Sequence, residues 1–156
     1  MDTIQYTTID KRDWPRGEWD NEPDKVQWSD DATGYPCLIV RGPLGALCGY
    51  VGVPEGHPAF EAKYSDVNVD THGDLSFSDF CAHGDEEDSI CHIPGPGEPD
   101  RVWWLGFDCG HNGDISPAPR FYQRELREWQ TYRNLGYVQE TVKQLAAQLH
   151  AQATPR

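Results

Sequence analysis

One stretch constrains the fold of this chain more than any other: Arg101 to Pro117, reading RVWWLGFDCGHNGDISP. Val102, Trp103, Trp104, Leu105 and Phe107 form an apolar, aromatic run of the kind that lies buried in a sheet. Side chains alternate across a strand, so Trp103, Leu105, Phe107 and Cys109 share one face, while Val102, Trp104 and Asp108 share the other. The chain then turns, with Gly110, Asn112 and Gly113 supplying the backbone freedom of a tight turn. Asp108, His111 and Asp114 lie in and beside this turn, each three residues from the next. Taken singly these are ordinary turn residues; taken together they form a candidate ligand or metal site.

A helix is easiest to find at the other end. Leu135, Val138, Val142, Leu145 and Leu149 recur at three and four residues, which predicts a helix over Leu135–Leu149 with one apolar stripe. Phe121–Trp129, with Leu126 and Trp129 three apart, is a second helical candidate. Upstream, Ile4, Tyr6 and Thr8 alternate as a short edge strand. Cys37–Val40 and Leu44–Val53 read as strands, the latter with glycines at 45, 49 and 52 that suggest a bulge or a close backbone approach. Asp66–Thr71 alternates too, with Val67, Val69 and Thr71 on one face and Asn68, Asp70 and His72 on the other. His57, between Gly56 and Pro58, reads as a turn residue. The expected architecture is one α+β domain, a mostly antiparallel sheet with the C-terminal helix packed on it. Its parts are a loop-rich segment over 1–35, a sheet region over 36–117 and a helical region over 118–150.

Charge narrows the function classes. The chain of 156 residues has 26 Asp and Glu against 13 Lys and Arg, a net charge of −13. Glu55 to Asp100 holds twelve carboxylates and one lysine, Lys63. Such a surface repels nucleic acid and anionic membranes, so neither is expected as a direct partner. The run Asp85-Glu86-Glu87-Asp88 and the tract Pro94-Gly95-Pro96-Gly97 read as an exposed loop, or as a lid over the site. No apolar run is long enough to span a bilayer, and the N-terminus lacks an apolar signal core, so a cytosolic location is expected. The five cysteines are accordingly expected as thiols or metal ligands rather than a disulfide framework.

Three chemistries compete for the turn. His72 closes the polar face of one expected strand and Asp108 that of another; neighbouring strands would bring them together. His72, Asp108, His111 and Asp114 then form a mixed imidazole–carboxylate set that suits a divalent metal such as zinc or manganese, with iron depending on geometry. Trp104, on the Asp108 face, would form an apolar wall, making Trp104, His72 and Asp108 a small-ligand site. Alternatively Cys81, Cys91, Cys109 and His111, with His83 and His92 near, would make a closed zinc site, although no close Cys-x-x-Cys pair supports it. A Cys109 nucleophile with His111 or His72 needs an accessible thiolate, and nearby carboxylates oppose that.

The segments GPLGALCGYVGVPEGHP (42–58), HGDLSF (72–77), ICHIPGPGEPDRVWWLGFDCGHNGD (90–114) and YRNLGYVQETVKQLAAQL (132–149) resemble a family of small proteins encoded by bacteriophages and by bacteria that carry prophages. Where that pattern leads one to expect a second glycine after His72-Gly73, this chain has Asp74. The resemblance supplies a setting rather than a mechanism. It implies a small acidic accessory protein in the host cytosol, and it gives weight to a second role, in which the acidic surface binds and blocks a host nucleic-acid-binding protein as an anti-defence inhibitor.

Overall fold

A computed structural model describes residues 3–81, 85–122 and 128–153. Six strands form one antiparallel sheet: β1 (Ile4–Tyr6), β2 (Lys25–Ser29), β3 (Pro36–Arg41), β4 (Leu47–Pro54), β5 (Phe77–Asp79) and β6 (Val102–Asp108), in the spatial order β1-β2-β3-β4-β6-β5. Among the described residues one α-helix, α1 (Leu135–Ala153), lies across β3 and β4. The α+β expectation is met.

The alternation expected for β6 is the alternation observed. Leu105, Phe107 and Cys109 are buried against α1, with Trp103 half-buried among them. Val102 and Trp104 are buried on the far face with Leu38, Val40 and Tyr50. Val138, Val142, Leu145 and Leu149 of α1 are buried, and Leu135 packs at the margin. The strand glycines mark close approaches: a Cβ at Gly49 would lie 2.6 Å from both Phe107 and Val142, which lets the helix backbone settle onto β4.

Several segments differ from expectation. Most of the described part of 1–35 is turn and irregular chain, as expected, but the segment also holds β2, which pairs along its full length with β3. Its alternation was masked because Lys25 and Gln27, though polar, are buried on the far face. Both pin the acidic loop. Lys25 Nζ donates to the Glu86 carbonyl at 2.6 Å, and the Gln27 side chain exchanges two hydrogen bonds with the Ile93 backbone. The loop is therefore a strap over the face opposite α1 rather than a lid, although the side chains of Asp85 to Asp88 remain exposed.

Asp66–Thr71 is not a sheet strand. Its alternation is real, because Val67 and Val69 pack on the core. Its backbone is instead satisfied by glutamines of α1: Gln148 bonds both the N–H and the carbonyl of Asp70, and Gln152 bonds the carbonyl of Asn68. His57 does more than occupy a turn. Its buried ring bridges the Leu149 carbonyl at 2.7 Å and the Ala59 N–H at 2.9 Å, tying the C-terminal part of the helix to the 54–59 corner. Most of the helix expected over Phe121–Trp129, including Leu126, lies outside the described residues, as does His83; Trp129 is exposed.

Cys81 and Cys91 form a disulfide, contrary to the expected thiols, while Cys37, Cys48 and Cys109 are free. The bond closes the strap on itself. Among the described residues, no helix is long and apolar enough to cross a membrane.

Candidate metal centre

Three of the expected residues meet. Ligand atoms of His72, His111 and Asp114 all lie within 4.8 Å of one another, so the group can hold a metal ion. The local chain explains how. After Asp108 the turn folds back so that the Asp114 N–H bonds the His111 carbonyl, and Ile115 and Thr131 exchange with the turn as a short parallel bridge. This plants the Asp114 carboxylate inside, with its side chain only 1% exposed. His72 arrives from the 66–71 segment that the α1 glutamines clasp. Gly73 follows it with φ +72°, and a Cβ there would stand 2.9 Å from the His111 ring. Glycine is required twice over, by the backbone conformation and by the imidazole lying on it.

The two oxygens of Asp114 have different partners. Oδ2 faces both imidazoles, at 2.8 Å from His72 Nε2 and 3.2 Å from His111 Nδ1, and also accepts the His111 N–H at 3.1 Å. Oδ1 accepts from Arg133 Nε at 2.9 Å and lies 2.9 Å from His72 Nε2. Burial pushes this carboxyl up, but hydrogen bonds from His72, Arg133 and the His111 backbone outweigh it and hold it below the ordinary carboxylate value. It is ionised at neutral pH, as a cation ligand must be.

Two of the three ligands, His72 and Asp114, are held from behind by hydrogen bonds. His72 Nδ1 pairs with the Tyr137 hydroxyl at 2.7 Å. In the neutral ring without metal, Nε2–H donates to Asp114 and Nδ1 accepts the phenol proton. The opposite tautomer would free the Nε2 lone pair for an ion and let Nδ1–H donate to Tyr137. His111 Nε2 lies 3.8 Å from Asp108 Oδ1. Arg133 holds Asp114 Oδ1, and its guanidinium stacks 4.8 Å from the Tyr137 ring. Partners of this kind fix the ring orientation and basicity of metal ligands.

Two of the expected site residues take other places. Asp108 is outside the three-residue group; it accepts from Ser76 Oγ and the Gly110 N–H and stands behind His111 rather than beside Asp114. Trp104 is no wall of the site. It is wholly buried under the strap, its ring 5.2 Å from that of His92, because β6 continues for four residues before the chain reaches the turn. The alternative cysteine set is dispersed: Cys81 and Cys91 are bonded to each other, and Cys109 is buried on the α1 face. Burial, reinforced by Asp114, Cys48 and Asp108, pushes the Cys109 thiol far up, so it is no nucleophile at neutral pH.

Arg133 and Tyr137 were not singled out by motif. Their i, i+4 spacing at the start of a helix was the available signal, since it places both on one face beside the turn. A cleft of about 190 Å³ opens next to His111 and Asp114, bordered by Leu44, Asn112, Ser116 and Phe121.

No protein-family model, curated protein or solved structure matches this chain.

Proposed function

We propose that the protein binds one divalent cation, zinc or manganese, through His72 Nε2, His111 Nδ1 and Asp114 Oδ2, and uses it to hold a small ligand, acting as a phage-type accessory protein in the host cytosol. The observation that carries this reading is that ligand atoms of His72, His111 and Asp114 all lie within 4.8 Å of one another. Neighbouring donors of a tetrahedral ion with bonds of about 2.0 Å stand about 3.3 Å apart. The 2.8 and 3.2 Å separations around Asp114 Oδ2 need only a small opening to reach that. Three protein donors leave a position for water or ligand, the pattern of reactive rather than purely structural sites. The Cys81–Cys91 bond stands against a steadily reducing cytosol, so in that setting it is expected to form after release or under oxidation.

Elemental analysis of protein grown with zinc and manganese should find about one equivalent. His111→Ala and Asp114→Ala should each weaken binding at least about 100-fold, while Asp108→Ala, which removes an outer partner, should cost about 10-fold. Occupancy should fall as the pH drops, because imidazole binds metal only as the neutral ring. Protein that stays metal-free in both media would end the reading.

A second reading belongs to another class, and one observation favours it: the exposed carboxylates of Asp85 to Asp88 ride on a strap whose backbone is pinned by Lys25 and Gln27. Held in place, they present a pattern of negative charge to a basic groove, as an inhibitor of a host nucleic-acid-binding protein would. Such a partner should be captured from lysate at low salt, released at high salt and displaced by DNA. It should be lost when Asp85, Glu86, Glu87 and Asp88 are all made neutral, and kept in His111→Ala. Retention by the neutralised strap would exclude the inhibitor.

A further inference from the structure

Resting on the metal reading, we infer that the small ligand is a phosphate oxyanion, either free phosphate or the terminal phosphate of a small monoester, clamped between the cation and Arg133. Without metal, the cluster sets the carboxylates of Asp108 and Asp114 against the guanidinium of Arg133, and an anion is repelled. A dication reverses the sign and leaves one net positive charge at the open coordination position. Anion binding is thereby made conditional on metal.

Arg133 is placed to be the second half of the clamp. Only its Nε is engaged, by Asp114 Oδ1; among the described residues its terminal amino groups have no partner. The guanidinium is part-exposed and its plane is set by stacking on Tyr137. Tyr137 in turn bonds His72, and Arg133 bonds Asp114, so the fork is tied to two of the three donors. A planar fork beside a metal ion matches the oxygens of a phosphate, which can bridge both; a single carboxylate is shorter and offers fewer oxygens. The anion must be small. A polyanion would extend over the surface of a chain of net charge −13, whose repulsion reaches about 8 Å from each charge. The cleft of about 190 Å³ beside His111 and Asp114, which Arg133 and His72 do not line, has room for the organic part of a small ester.

Cobalt(II) in place of zinc makes both events visible, through its visible absorption. Cobalt-loaded protein should show a four-coordinate band that shifts on titration with inorganic phosphate or with phenyl phosphate, and should not shift with chloride at equal ionic strength. The compound that binds tighter names the source: an ester preferred tenfold or more points to the cleft, and equal affinities point to free phosphate. Arg133→Gln, measured at cobalt saturation, should lose at least tenfold in phosphate affinity, and Arg133→Lys should recover part of it. A cobalt band that forms but ignores both compounds, or phosphate affinity unchanged in Arg133→Gln, overturns the clamp and leaves the metal site standing. Wild-type protein that forms no cobalt band overturns both.

Discussion

Arg41→Met should lower the free energy of unfolding by about 3–5 kcal/mol, the usual cost of removing one partner from a buried ionic network. The Arg41 side chain is fully buried, and all five of its N–H donors are used. They reach Asp24 Oδ1 at 2.7 Å, the Gly45 carbonyl and the Tyr132 hydroxyl at 2.8 Å, the Pro23 carbonyl at 3.2 Å and Glu22 at 3.3 Å. Asp24 is also held by Lys11 and by the N–H groups of Thr8 and Ile9. One guanidinium thus ties the first 24 residues, the end of β3 and the chain entering α1. Methionine matches its bulk and leaves two carboxylates and three acceptors short of a donor.

The loss should depend on pH with a definite sign. Burial pushes the Asp24 carboxyl up, but bonds from Lys11, Ile9, Arg41 and Thr8 outweigh it and hold it below its ordinary value. A depressed folded pKa contributes stability that is complete above the unfolded value of about 4 and disappears as the pH falls through the folded value. Urea unfolding at pH 7 and at pH 3 should therefore show the gap between wild type and variant narrowing in acid. A variant within about 1 kcal/mol of wild type at pH 7 would mean that the network contributes little net stability.

Leu145→Asp should be at least as damaging, about 4 kcal/mol or more, because it leaves an unpaired carboxylate where nothing can solvate it. Leu145 is wholly buried at the middle of the α1 stripe. Leu145→Ala provides the graded control at about 2–5 kcal/mol, the cost of a cavity without a charge. In a chain of this size each kcal/mol moves the melting temperature by about 2–4 °C, so the aspartate variant should melt at least roughly 8 °C lower or fail to accumulate folded. An unchanged melting curve would show that the stripe is not covered by the sheet.

What could be seen without coordinates was whatever periodicity encodes. The α1 stripe and the two faces of β6 were legible because burial repeats every 3.6 and every 2 residues. The same rule misled at Asp66–Thr71, where alternation reports that Val67 and Val69 are buried but says nothing of who satisfies the backbone; the glutamines that do so are about eighty residues away in sequence. It failed at β2, where Lys25 and Gln27 are buried polar residues paired with a strap that no local pattern reveals. Neighbouring strands were expected to bring His72 to Asp108, and they do not: His72 meets His111 and Asp114 through the turn and the clasped segment rather than through strand pairing, while Asp108 stands behind His111 and Trp104 faces elsewhere. The Cys81–Cys91 bond was illegible for a different reason: a count of five and the absence of an apolar leader point to compartment, not to geometry.

The sheet ends at both sides in strands of three residues, β1 and β5. An incoming strand therefore finds a ladder of only two or three rungs, too short to compensate for immobilising its own backbone. On the β5 side the chain leaves the ladder at once for the disulfide-closed strap. Growth by edge addition, the usual route from a β-rich domain to fibrils, is thus discouraged by geometry before the acidic surface adds its repulsion.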